Sequence, residues 1–95
     1  MSNVALQRNT DQVVLAASTA IRTRMELGSQ KYDPCVWRSE SVRRHIRHAI
    51  KHAVTELEIA DGDHEIDDDD HLAAAVCRMS MALAVRNQPA ETIDS

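Results

Sequence analysis

Apolar residues recur at three- and four-residue steps in three stretches of this chain, and no stretch alternates as a strand would. In the first, Val14, Ala17, Ile21 and Met25 form a stripe with Val13 and Ala20 beside it. That stripe predicts a helix starting after Thr10, whose hydroxyl suits an N-cap, and ending at Gly28, where a left-handed C-terminal cap is expected. Residues 1–9 read as a frayed lead-in or a short extra turn, and Pro34 prevents an early restart. The second stretch predicts a helix from about Ser41 to about Ala60, with Ser39 and Ser41 as candidate N-caps. Its expected buried stripe is Val42, Ile46, Ala49, Ile50, Ala53 and Leu57. At about 100° per residue, Arg44, Arg47, Lys51 and Glu58 face solvent, while His45, His48, His52 and Glu56 run along one flank of the stripe.

The third helix is expected to open within the aspartate run that ends at Asp70, since carboxylates suit the positive end of a helix dipole. It continues to about Arg86, with Leu72, Val76, Met79 and Leu83 as its main stripe. Its other faces carry Ala73, Ala74, Cys77, Met81, Ala84 and Val85, so it should be buried nearly all round. A three-helix chain can achieve that by packing on a second copy. The expectation is therefore one all-α domain over residues 1–95, a small bundle of three main helices completed by homo-oligomerisation as a dimer or higher. Its ends, about 1–9 and 87–95, are expected to be flexible.

Composition narrows the function classes. Ninety-five residues with a formal charge of −4 and a pI near 5.6 argue against a nucleic-acid-binding domain, whose footprint is usually basic. Arg43, Arg44, Arg47 and Lys51 are nevertheless clustered, which leaves room for a small anionic ligand. Cys35 and Cys77 lack paired metal spacing and read as free thiols of a reducing compartment. With no apolar run of signal-peptide or membrane-spanning length, a cytoplasmic location away from membranes is expected. Two glycines in the whole chain exclude a Gly-rich phosphate loop.

Three features can carry chemistry. The chain has no Phe, and both of its aromatic rings, Tyr32 and Trp37, lie between Lys31 and Arg38. Those rings can stack on a planar ligand while the cations meet phosphate; equally, Trp37 can lid a small aliphatic core. The loop from Asp61 to Asp70 holds seven acidic residues, enough oxygen to attract Mg2+ or Mn2+, although such a run is also an ordinary solvated helix start. It does not match an EF-hand. His52 and Glu56 are four apart and share a face, so they can bind a metal, or Glu56 can orient His52 as a base. The plainer alternative makes these histidines amphipathic spacers.

The stretch Gly28-Ser-Gln-Lys31-Tyr32-Asp-Pro-Cys-Val-Trp37-Arg38 resembles the glycine, Lys-Tyr, Trp-Arg pattern of phage and bacterial dATP/dGTP diphosphohydrolase-like proteins, within the MazG-like all-α nucleotide pyrophosphohydrolases. Lys51-His52, the acidic loop and His71-Leu72-Ala73 follow in the same order, so the resemblance spans roughly Ala17 to Leu83. It implies Mg2+-dependent hydrolysis of a nucleoside triphosphate to monophosphate and pyrophosphate, with Mn2+ as the alternative ion. Taken with the residue readings above, Lys31 and Arg38 are expected to neutralise phosphate, Tyr32 or Trp37 to stack on the base, and His52 with Glu56 to be catalytic. Glu56, Asp61, Asp67, Asp70 and His71 are the residues expected to hold the metal. The MazG-like Glu-Glu-x-x-Glu cluster is missing, and Ala74 stands where a second histidine is expected. A non-catalytic helical interaction protein, such as a phage assembly or host-takeover factor, is the alternative. A bundle held by zinc on His45, His48, His52 and His71 is a third reading.

Overall fold

Among residues 3–88, which the computed structural model describes, the backbone forms α1 (Asn3–Ser29), α2 (Val42–Ala60) and α3 (His71–Arg86), with a 3-10 turn over Val36–Ser39. No strand occurs among these residues, so the chain is all-α as its periodicity implies. Residues 1–2 of the expected lead-in and 89–95 of the expected tail lie outside the described residues.

Local chemistry sets most boundaries. At α2, the Ser41 hydroxyl accepts from the Arg44 amide at 3.1 Å, satisfying a donor that has no partner within the helix. Asp70 does the same for α3, accepting from the Ala73 amide at 3.0 Å. The end of α2 is a Schellman turn: the Asp63 amide reaches the Glu58 carbonyl (2.8 Å) and the Gly62 amide reaches that of Ile59 (3.1 Å). Gly62 sits there at φ +81, the left-handed conformation the turn requires. Between α1 and α2, an Asp33 carboxylate oxygen accepts from the Cys35 amide at 2.8 Å and opens the 3-10 turn after Pro34.

Two boundaries of α1 differ from expectation. The helix starts at Asn3, and the Thr10 hydroxyl donates to the Leu6 carbonyl one turn back instead of capping. Gly28 lies inside the helix with negative φ, and its carbonyl accepts from the Lys31 and Tyr32 amides as the helix ends one residue later.

The larger correction concerns which faces are buried. α3 lies between the other helices and packs on both, while α1 and α2 do not pack on each other. The close-packed positions are small: Ala49, Ala74, Ala75, Cys77 and Ala82, joined by His45 and His71. Of the expected α2 stripe, Ala49 is buried and Val42 and Ile46 are half-buried, but Ile50, Ala53 and Leu57 are exposed. Leu72, Met79 and Leu83 of α3 are exposed too, and so are Val13 and Val14 of α1. The histidine flank of α2 is the face that meets α3. Alanines allow the backbones to approach closely, and the histidines there find hydrogen-bond partners, so the large aliphatic side chains are left outside. The radius of gyration is 16.1 Å, against about 12 Å for a compact chain of this length.

Candidate functional site

His52 on α2 and His71 at the start of α3 face each other across the helix pair. Their Nδ1 atoms are 3.0 Å apart and their ring centroids 5.2 Å. Behind His71, its Nε2–H donates to both oxygens of the Asp67 carboxylate, at 2.9 and 3.0 Å. Asp69 approaches from the side: one of its oxygens is 3.8 Å from His71 Nδ1, and the other accepts from the Arg24 guanidinium of α1. The tight turn of the acidic loop makes this possible, with the Asp69 amide donating to Asp67 Oδ1 and the His71 amide to the Asp69 carbonyl.

The electrostatics separate the two imidazoles. The hydrogen bond to Asp67, outweighing burial and helped by the charges of Asp67, Asp69 and Glu56, raises His71 above its ordinary value of 6.5. Burial lowers His52 below the same value despite the nearby Asp69 charge. The two Nδ1 atoms are close enough to share one proton, and the Asp67 bond favours its lying on the His71 side. Hydrogen bonds from His71 and Arg24 respectively hold the Asp67 and Asp69 carboxyls below the usual carboxylate value of 3.8.

His52 and Asp69 line an open cleft of about 770 Å3 between the C-terminal end of α1, the 3-10 turn and the α2–α3 pair. That volume lies in the range of small-molecule sites. Lys31, Tyr32 and Trp37 line the same cleft, together with Arg24, Arg44 and Arg78. Trp37 is half-buried and Tyr32 exposed. Arg38 is not a lining residue; its guanidinium lies over the Trp37 ring, 5.0 Å from the centroid, and braces it as a cation–π pair.

A polar joint supports the wall of the cleft. His45, with no exposed surface, donates Nε2–H to the Trp37 carbonyl at 2.9 Å and accepts at Nδ1 from Arg78 at 3.1 Å. Arg78 also donates to Glu40 (3.1 Å), which pairs with Arg44 at 2.8 Å. The four-histidine zinc set does not form, because His45 is fully engaged in this joint and only His52 and His71 come together.

Of the residues expected to bind metal, Asp67 and His71 are adjacent but bonded to each other. The Asp70 carboxylate caps α3, and Asp61 is exposed at the C-cap of α2. Glu56 is half-buried one turn beyond His52, near enough for its charge to raise His71. Asp69, Arg24 and Arg78 were not singled out as site residues. The alternation Asp67-x-Asp69-x-His71 was the signal that could have marked Asp69.

Among the described residues, one group of side chains can surround a cation: His52, Asp69 and His71, whose ligand atoms lie within 4.8 Å of one another. Magnesium prefers an all-oxygen shell that retains several waters. Two imidazole nitrogens with one carboxylate do not fit that preference, and they do fit the more nitrogen-tolerant first-row transition metals.

Comparison with curated proteins and with solved structures returns no match to the chain. A family model described as dATP/dGTP diphosphohydrolase, N-terminal, matches residues 5–95, nearly the whole length and every element of the site. The chain belongs to the dATP/dGTP diphosphohydrolase N-terminal family.

Proposed function

We propose that the cleft binds a purine deoxynucleoside triphosphate and hydrolyses it to monophosphate and pyrophosphate. One observation carries this reading: Lys31, Tyr32 and Trp37, expected to hold a nucleotide, line the same cleft as His52 and Asp69. Lys31 makes no salt bridge among the described residues, so its ammonium is available to phosphate. Arg24, Arg44 and Arg78 add positive charge but are already paired with Asp69 and Glu40, which fixes their direction. Trp37, braced by Arg38, and Tyr32 offer π-faces to the base.

The chemistry needs water to attack the α-phosphorus in line while the bond to the bridging α–β oxygen breaks and pyrophosphate leaves. His52 is poorly suited to receive the water's proton, because its Nδ1 is tied to His71. In this reading the proton passes by way of a second water to Glu56, which lies one turn beyond His52 and does not itself line the cleft. Mg2+ would come with the triphosphate as part of the substrate and would supply charge neutralisation there. Purified chain given dATP, dGTP or a pyrimidine triphosphate with Mg2+ or Mn2+ should release pyrophosphate from the purines. Lys31→Ala and Glu56→Gln should each reduce the rate at least tenfold. No release from any nucleotide under either ion would defeat the proposal.

The exposed aliphatic side chains favour an accompanying association. We infer that Ile50, Val54 and Leu57 of α2, which lie in water in the single chain, are covered by a second copy. A non-catalytic interaction role draws on the same surface. It becomes the better reading if nucleotide neither turns over nor produces heat on titration.

A further inference from the structure

The 3.0 Å between His52 Nδ1 and His71 Nδ1 has a second meaning besides a hydrogen bond. Two nitrogens bound to one ion at about 2.1 Å, at right angles, are separated by about 3.0 Å. The shared proton thus occupies the line across which a cation would bridge both rings. Asp67 is already arranged as the outer partner of such a site. Its grip on His71 Nε2–H turns the Nδ1 lone pair toward His52, as the carboxylate–histidine pairs of metal sites do. Asp69 supplies the third donor: Arg24 keeps it beside the rings, with its ligand oxygen within 4.8 Å of the other two ligand atoms.

We propose that His52 Nδ1, His71 Nδ1 and the Asp69 carboxylate bind one transition-metal dication of the Mn2+ to Zn2+ series, with Asp67 as the outer-sphere residue that sets His71, and that this site discriminates against Mg2+. Two histidines and one carboxylate on adjacent corners leave the remaining positions for water or phosphate oxygen. His45 and His48 contribute nothing, since His45 is committed to Trp37 and Arg78. The inference deepens the hydrolase reading by naming the cation of the same site, yet its test requires no nucleotide.

Untagged chain, stripped with chelator, is titrated with Co2+ and followed by visible absorption. The expected result is a ligand-field band that saturates at one equivalent per chain, is displaced by Zn2+, and survives about a thousandfold excess of Mg2+. His52→Ala and His71→Ala should abolish the band. Asp67→Asn should weaken Co2+ binding roughly 10- to 100-fold without abolishing it. His64→Ala, on the exposed loop, should change nothing. Circular dichroism checks each variant; if His71→Ala does not fold, the half-buried His52 and the more exposed Asp67 carry the decision. The proposal is overturned if no saturable band appears, if Mg2+ competes at concentrations similar to Co2+, or if His52→Ala binds as the unsubstituted chain does. Saturable Co2+ binding without pyrophosphate release under any ion would remove the hydrolase reading and keep the metal site. Pyrophosphate release in Mg2+ by a chain that takes up no Co2+ would do the reverse.

Discussion

His45→Ala is the substitution that most directly tests how the wall of the cleft is held. His45 has no exposed surface, and it bonds the Trp37 carbonyl on one side and the Arg78 guanidinium on the other. The first bond is worth about 1 kcal/mol and the second, to a charged group, about 2 kcal/mol. Alanine also leaves part of the ring's volume empty. Arg78 keeps Glu40, so no buried charge is orphaned and the loss stays below that of a broken buried ion pair. The expected destabilisation is about 3 kcal/mol, equivalent to a Tm lowered by roughly 12–24 °C at this chain length. Urea unfolding followed by far-UV circular dichroism and by fluorescence of Trp37 would measure it, repeated across protein concentrations to separate any self-association. His45→Gln, whose amide can still donate to the Trp37 carbonyl, should recover about 1 kcal/mol. A loss under about 1 kcal/mol for His45→Ala, with an unchanged urea slope, would show that His45 does not hold this joint.

Gly62→Ala forces a side chain into left-handed backbone and should cost about 1–2 kcal/mol. Gly28→Ala, helical and in open space, should gain about 0.5–1 kcal/mol; thermal melts showing the same sign for both would contradict the local geometry. Burial tends to raise the Glu40 carboxyl, but hydrogen bonds and charge from Arg44 and Arg78 outweigh it and hold the group below its ordinary 4.5. Its folded value being depressed, Glu40 contributes stability above about pH 4.5 that fades as pH falls through the folded value. Glu40→Gln should therefore flatten the acid limb of a stability–pH curve; an unchanged limb would mean the pairing contributes nothing. Light scattering should find the chain associated, and Ile50→Glu with Leu57→Glu should make it monomeric, while a monomeric unsubstituted chain would refute that association.

The sequence disclosed the helices more readily than their packing. Ser41 caps a neighbour three residues away, so its role follows from residue type and spacing; Asp70 and Gly62 act as locally, yet Asp70 was expected to bind metal and Gly62 was assigned no cap. Thr10 misled because a hydroxyl that can cap can also donate to a carbonyl one turn back. The α2 face was misjudged for a different reason. Hydrophobic ranking places Ile50 and Leu57 inside, whereas α2 and α3 meet through Ala49, Ala74 and Ala75 with polar groups satisfied at the seam. Clustering pointed to Lys31, Tyr32 and Trp37, spacing from Glu56 to His52, and the family resemblance to His71; the structure brings Lys31, Tyr32, Trp37 and His52 to one cleft. Asp69 was not identified: its alternation with Asp67 and His71 was the one trace in the sequence, and it is hard to read inside a run of four aspartates.

The position of α3 between two helices that do not meet has a kinetic consequence. α2 and α3 are joined by the short segment 61–70, so their pairing closes a small loop and is favoured early. His52, Asp69 and His71 all belong to that hairpin, whereas the cleft they line also needs Arg24 of α1 and the segment after it. Docking of α1 closes a longer loop and engages one helix only. His52, His71 and Asp67 can thus assemble before a nucleotide-sized space exists around them, and docking of α1 both completes the cleft and brings Arg24 to hold Asp69.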